Sequence, residues 1–186
     1  MKLINKTNKQ KKGFSLVELL AVLGVGGAMV AGALMLVSDV QEKRAIKTHS
    51  ENISTIFNNM QSLFSAEPVS GNMTNLITAG VFPAAMSQTA STVSTLGGGD
   101  VAIAPLGGSD GYTLVYGKIA ADTCVEVIRG QRNIGWDRYI VVAGNTGTAP
   151  TDSTGTAFSA ASVPTIAGDC ATAATGDWVS LGFYIQ

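Results

Sequence analysis

The sequence predicts an α+β fold: one long N-terminal α-helix, transmembrane in its first half and amphipathic in its second, followed by a sheet of short strands. Three observations predict it. An uninterrupted apolar run stands near the N-terminus, a stripe of apolar residues at helical spacing follows it, and short β-branched segments fill the second half of the chain between stretches rich in Gly, Ala, Ser and Thr. The length of 186 residues suits one domain, and a hydrophobic share of 46% excludes disorder of the whole chain. Only 13% of residues are charged, about half the roughly 25% of soluble domains, so part of the surface is expected to meet lipid or neighbouring molecules. A net charge of -1 disfavours nucleic acid as a partner.

That net charge hides an asymmetry. Lys2, Lys6, Lys9, Lys11 and Lys12 fall within the first 13 residues with no acid among them, and the rest of the chain carries 7 basic against 13 acidic side chains. The basic block reads as a targeting segment to be set aside before the fold is considered.

From Phe14 to Val37 the only polar side chains are Ser15 and Glu18. As a helix this run would extend about 36 Å, enough to cross a bilayer. The lysines precede it, whereas the charges just behind it, Asp39 to Glu51, cancel, so the N-terminus is expected on the cytoplasmic side. An ionised Glu18 inside lipid costs about 2.5 to 3.5 kcal/mol, and the twelve Phe, Leu and Val residues of the run offset it at about 0.3 to 0.6 kcal/mol each. Insertion therefore tolerates Glu18 without favouring it, and an intramembrane acid is by default a functional residue. A cleaved secretory signal, suggested by Ala31-Gly32-Ala33, fits less well: the run exceeds the roughly 7 to 15 residues of a signal core, and an acid stands near its start.

The residues Lys11-Lys12-Gly13-Phe14-Ser15-Leu16-Val17-Glu18-Leu19-Leu20 resemble the processing site of type IV pilins and related pseudopilins. The likeness lies in a basic leader, a Gly before the cut, an aromatic at the new terminus, an acid four residues on and an unbroken apolar helix. It implies cleavage after Gly13 by a prepilin peptidase and N-methylation of Phe14. It also implies three segments: a leader over 1–13, a transmembrane and filament-core helix over 14–37, and a periplasmic or extracellular pilin domain over 38–186. In a filament the amine of Phe14 would meet Glu18 of a neighbouring subunit and set the subunit register. Gly24, Ala28 and Gly32, and likewise Gly27 and Ala31, lie four residues apart and suit close helix packing.

Beyond Val37 the pattern narrows to a stripe, Ile46, Ile53, Phe57, Met60 and Phe64, which is one helix face. With no Pro between Phe14 and Ser65 and no Gly after Gly32, a single helix of 52 residues is expected there. Pro68 ends it, and Asn72 can cap a short helix through about Ala79. Residues 84–110 and 143–176 are low in complexity, with 17 of 27 and 25 of 34 residues Ala, Gly, Ser or Thr, and read as loops. Strands are expected at Val101–Ala104, Tyr112–Lys118, Arg138–Ala143 and Trp178–Ile185, and a short helix around Asp122–Arg129 with Val125 and Ile128 on one side. The resemblance adds that the sheet is antiparallel, completing a pilin fold.

Cys124 and Cys170 fall on the oxidising side of the membrane, where a disulfide is expected. The resemblance makes the bridged segment 125–169 the variable outer region. Catalytic, metal and cofactor sites are not expected. The one histidine, His49, lies on the long helix and reads as solvent-facing; Asp110, Asp122, Glu126 and Asp137 read as surface acids; Gly97-Gly98-Gly99-Asp100 lacks the Lys and Ser or Thr of a phosphate loop.

The function implied by the resemblance is that of a major subunit of a type IV pilus, in the type IVb group that includes bundle-forming pili, serving adhesion or aggregation. Its partners would be copies of itself, the prepilin peptidase, an inner-membrane assembly platform with its ATPase, and an outer-membrane secretin. It would reside in the inner membrane as precursor and in an extracellular fimbrium after assembly. A secretion pseudopilin or minor pilin is the alternative within the class, and a membrane-anchored periplasmic enzyme or binding protein the more distant one.

Overall fold

The structure is a computed structural model that describes residues 15–64, 72–95, 97–106, 111–144, 155–174 and 176–185, apart from the side chains of residues 35, 36, 38, 39 and 64. The chain forms two compact units, Met1–Glu42 and Lys43–Gln186. Helix α1, Leu16–Phe64, contributes to both.

In the first unit α1 carries the apolar run. Its stretch Leu16–Leu34 has a mean hydropathy of 2.0, is long and apolar enough to cross a membrane, and has none of its residues buried by the rest of the chain. In the second unit α1 turns amphipathic. Ile53, Ile56 and Met60 are fully buried and Phe57 nearly so, while Ile46 packs at the margin. Four of the five stripe positions are thus on the core face; the side chain of Phe64 lies outside the described residues. Ile56, absent from the expected stripe, joins it at the three-residue step from Ile53.

Helix α2, Met73–Thr78, is capped as expected: the Asn72 side chain accepts from the Thr74 amide at 3.1 Å. Among the described residues seven strands follow in one antiparallel sheet: β1 Ser87–Gln88, β2 Val93–Ser94, β3 Asp100–Pro105, β4 Tyr112–Ala120, β5 Arg138–Ala143, β6 Thr156–Ala157 and β7 Trp178–Ile185. Their order is β1-β2-β3-β4-β7-β5-β6, which sets the last strand between β4 and β5. Being central, β7 is buried from Val179 to Tyr184 on both faces. The β4–β7 register shifts between Tyr116 and Ile119. Lys118 sits in this bulge with φ 56°, a left-handed conformation that costs a residue with a Cβ about 1–3 kcal/mol.

Helix α3, Cys124–Gln131, and helix α4, Val163–Ala173, pack near each other. The expected helix at 122–129 is displaced by two residues because Ala120 to Thr123 form a turn, closed by the Thr123 amide and hydroxyl on the Ala120 carbonyl at 3.0 and 2.9 Å. Cys124, Val127, Ile128 and Gln131 are its buried residues and Val125 is only partly so. Helix α4 replaces the middle of the expected loop at 143–176. Ser162 caps it by accepting from the Thr165 amide at 3.3 Å, Pro164 occupies its first turn, and Ile166 and Cys170, four apart, are its buried residues.

One core unites these elements. Trp136 packs edge-on against Phe57 of α1 at 4.7 Å and tilted against Phe183 of β7 at 5.4 Å between ring centroids. Gly135 makes this approach possible, since it holds φ 122° and a Cβ there would lie 2.8 Å from the Phe57 ring. Replacement of Ile56 by Ala should therefore lower stability by about 2–5 kcal/mol in denaturant titration of the full chain in detergent. Leu63→Ala, at a half-exposed position of the same helix, should change it by no more than about 0.5 kcal/mol.

Candidate functional site

Two regions hold the residues that the sequence singles out. The first is the start of α1. Glu18 lies in its first helical turn, among side chains that the chain itself leaves bare: Leu16 is 75% and Val17 72% exposed. The small residues further on are equally open: beyond the adjoining residues and the backbone of the helix itself, nothing lies within 4 Å of a Cβ placed at Gly24, Gly27 or Gly32. An apolar cylinder with one carboxylate near its end and open small-residue positions can bury that surface only in lipid or against other helices. Gly13 and Phe14 lie outside the described residues.

The second region is bounded by the disulfide. Cys124, the first residue of α3, is bonded to Cys170 of α4 with the Cα atoms 6.1 Å apart, and both residues are buried. The expected pairing is therefore present, and it ties two helices together. Between the bridged positions the chain supplies α3, β5, β6 and most of α4.

Next to Cys170, Asp169 closes a second tie. Its Oδ2 accepts from the Tyr139 hydroxyl at 2.7 Å and from the Thr156 hydroxyl at 3.1 Å, joining α4 to β5 and β6. Burial first, and then the hydrogen bond to Asp169, push the Tyr139 phenol well above its ordinary range, so it acts as a fixed donor. A groove of about 410 Å³ runs here, lined by β5 together with Thr156, Asp169 and Thr172.

A second polar cluster joins α3 to α1. The Gln131 amide donates to the Ser50 carbonyl at 3.1 Å, while its oxygen accepts from Ser54 and from the Trp136 indole, each at 3.4 Å. Gln131 is fully buried, and these contacts use both ends of its amide.

The expectation for His49 is overturned. It is half-buried, and its Nδ1 lies 3.1 Å from the hydroxyl of the fully buried Tyr116. Burial lowers its pKa from the ordinary value. The helix presents position 49 to the sheet, a consequence of where β4 lies and not of local sequence. Of the acids, Glu126 is exposed and pairs with Arg129 at 3.1 Å, Asp122 and Asp137 are exposed, and Asp110 lies outside the described residues. Among the described residues no three His, Cys, Asp or Glu side chains converge to hold a metal.

The ties through Asp169, Gln131 and His49 carried no local signal, because apart from Trp136, five positions from Gln131, their partners stand 13 to 81 positions away in sequence. Only the start of α4 had one, in the Ser162-Val163-Pro164 run.

Comparison with known proteins agrees with this architecture. The family described as PilS N terminal matches residues 43–181, well over half of the chain, and the prokaryotic N-terminal methylation motif matches residues 8–34. The chain belongs to the PilS family and is a type IV pilin. Among solved structures, a type IVb pilin from Salmonella typhi shares its fold, with a TM-score of 0.54 at 22% identity over 74% of this chain and 97% of that one. No curated protein matches the chain.

Removing the Cys124–Cys170 bridge by a double Cys→Ala substitution should lower stability by about 4 kcal/mol in the chain-entropy treatment of a loop of this length. Denaturant midpoints of oxidised wild-type and variant protein measure it. Limited proteolysis should then cut first within 125–169, where the wild type resists.

Proposed function

We propose that this chain is the structural, non-catalytic major subunit of a type IVb pilus. The observation that carries the reading is the junction of a methylation motif over residues 8–34 with a pilin domain over residues 43–181, with Glu18 as the one acid of the apolar run. In this reading residues 1–13 form a leader, 14–37 anchor the precursor in the inner membrane, and 38–186 form the domain displayed outside it. The lysines of the leader hold the N-terminus in the cytoplasm. A prepilin peptidase cuts after Gly13 and methylates the amine of Phe14.

Assembly then follows from electrostatics in a dry environment. Cleavage creates a cation at Phe14 close in sequence to the anion at Glu18. In a filament, a neighbour displaced along the axis can bring its amine against the carboxylate. Such a pair adds little net stability, but deleting one member strands the other and costs about 3–5 kcal/mol, so the pair selects one stagger between subunits. The platform, its ATPase and the secretin supply the work and the exit route, and the disulfide-bounded segment faces outward to serve adhesion or aggregation.

The type IVb assignment draws on the 13-residue leader, the wide Cys124–Cys170 loop and the shared fold with the Salmonella typhi pilin. Phe14 is a departure, since that group more often begins its mature chain with another apolar residue.

Mass spectrometry of surface filaments should find a mature chain beginning with N-methylated Phe14, and Gly13→Val should leave the leader attached. Glu18→Ala should be cleaved normally yet reduce filaments seen by electron microscopy by at least about tenfold, the order expected for loss of a buried charge pair. Abundant normal filaments from Glu18→Ala would overturn the role of Glu18; filaments built from uncleaved chains would overturn the whole reading.

A further inference from the structure

We propose that His49, Asn52 and Tyr116 form an acid-sensitive latch that holds the second half of α1 on β4. His49 is the one histidine of the chain. Its Nδ1 lies 3.1 Å from the Tyr116 hydroxyl, and Asn52, one turn further along α1, donates from Nδ2 to the same oxygen at 3.3 Å. The two rings meet edge-on with centroids 5.5 Å apart, and Asn52 and Tyr116 are both buried.

A single proton decides the polarity of this cluster. With the imidazole neutral and Nδ1 bare, the Tyr116 hydroxyl donates to Nδ1 while its oxygen accepts from Asn52, so every polar group of the cluster has a partner. Protonation turns Nδ1 into a donor. The phenol hydrogen then loses Nδ1 as its acceptor inside the core, and a cation occupies a site where burial opposes charge.

The charged side chains on the surrounding elements do not replace what is lost. On α1, Lys47 and Glu51 pair with each other at 3.5 Å in solvent, and Lys43 and Arg44 are exposed. On β4, Lys118 lies 5.4 Å over the Trp178 ring; Asp100 of β3 is exposed; on α3, Glu126 and Arg129 pair at 3.1 Å in solvent.

The sign follows from linkage. Unfolding returns His49 to its ordinary pKa of 6.5, above its folded value. Between the two values the unfolded chain binds more protons, so the latch stabilises the fold fully above about pH 6.5 and is lost as pH falls through the folded value. Across that window the unfolding equilibrium constant should rise by up to about tenfold per pH unit, the limit for uptake of one proton.

The test uses the untagged full chain in nonionic detergent with isotope-labelled histidine, whose single ring resonance is titrated in the folded protein and in concentrated urea. Thermal unfolding is followed by near-ultraviolet circular dichroism from about pH 8 to about pH 5, the span over which histidine changes charge. The folded midpoint should lie below the urea midpoint, and the wild type should lose more of its melting temperature on acidification than His49→Gln, which cannot titrate. Tyr116→Phe should raise the folded midpoint, since the neutral ring loses its donor while remaining buried. A folded midpoint at or above the urea value, or equal pH slopes for wild type and His49→Gln, would overturn the latch. An unmoved midpoint in Tyr116→Phe would reduce it to burial alone; should that variant not fold, the first two comparisons decide.

Discussion

Burial of Ile53, Ile56, Phe57 and Met60 from one face of α1 is the interaction on which the domain from Lys43 onward depends. Each such side chain contributes roughly 1.5–3 kcal/mol on burial, and together they oppose the ordering of a seven-stranded sheet whose outer strands β1, β2 and β6 are two residues long. Strands so short have little stability of their own. They persist because β4 and β7 are clamped to the helix through Tyr116, Leu114 and Phe183, and because Trp136 fills the space between Phe57 and Phe183. Polar ties then fix how the helix lies on that surface: Asn52 and His49 reach β4, Ser50 and Ser54 reach Gln131, and Asn59 donates to the Val81 carbonyl at 2.9 Å.

The same helix meets a different requirement over Leu16–Leu34, where nothing in the chain covers it. An apolar surface of that extent is stable only in a lipid or protein environment, so this part of the molecule is specified by its surroundings as much as by its sequence. A type IV pilin thus divides one helix between two solvents. The half that faces its own sheet needs alternation of apolar and polar residues, and the other half must avoid polar groups altogether, which is why a single carboxylate at Glu18 stands out against it.

The region bounded by Cys124 and Cys170 is held by bonds of a different kind. It is rich in Gly, Ala, Ser and Thr, side chains that bury little area, and a covalent bridge with a carboxylate-centred tie at Asp169 compensates for that.

The apolar run, its single acid, the amphipathic stripe, the Asn72 cap and the strands Arg138–Ala143 and Trp178–Ile185 were all determined by the sequence, since each rests on periodicity or capping within a few residues. The methylation motif was legible for the same reason. Tertiary structure alone decided the insertion of β7 between β4 and β5, the two-residue strands, the burial of His49 and the meeting of Asp169 with Tyr139 and Thr156. It also turned Val163–Ala173, a stretch of mostly small residues, into a helix that buries Ile166 and Cys170. Small and polar side chains have weak local preferences, and their conformation is settled by hydrogen-bond and packing partners that the fold brings from distant parts of the chain.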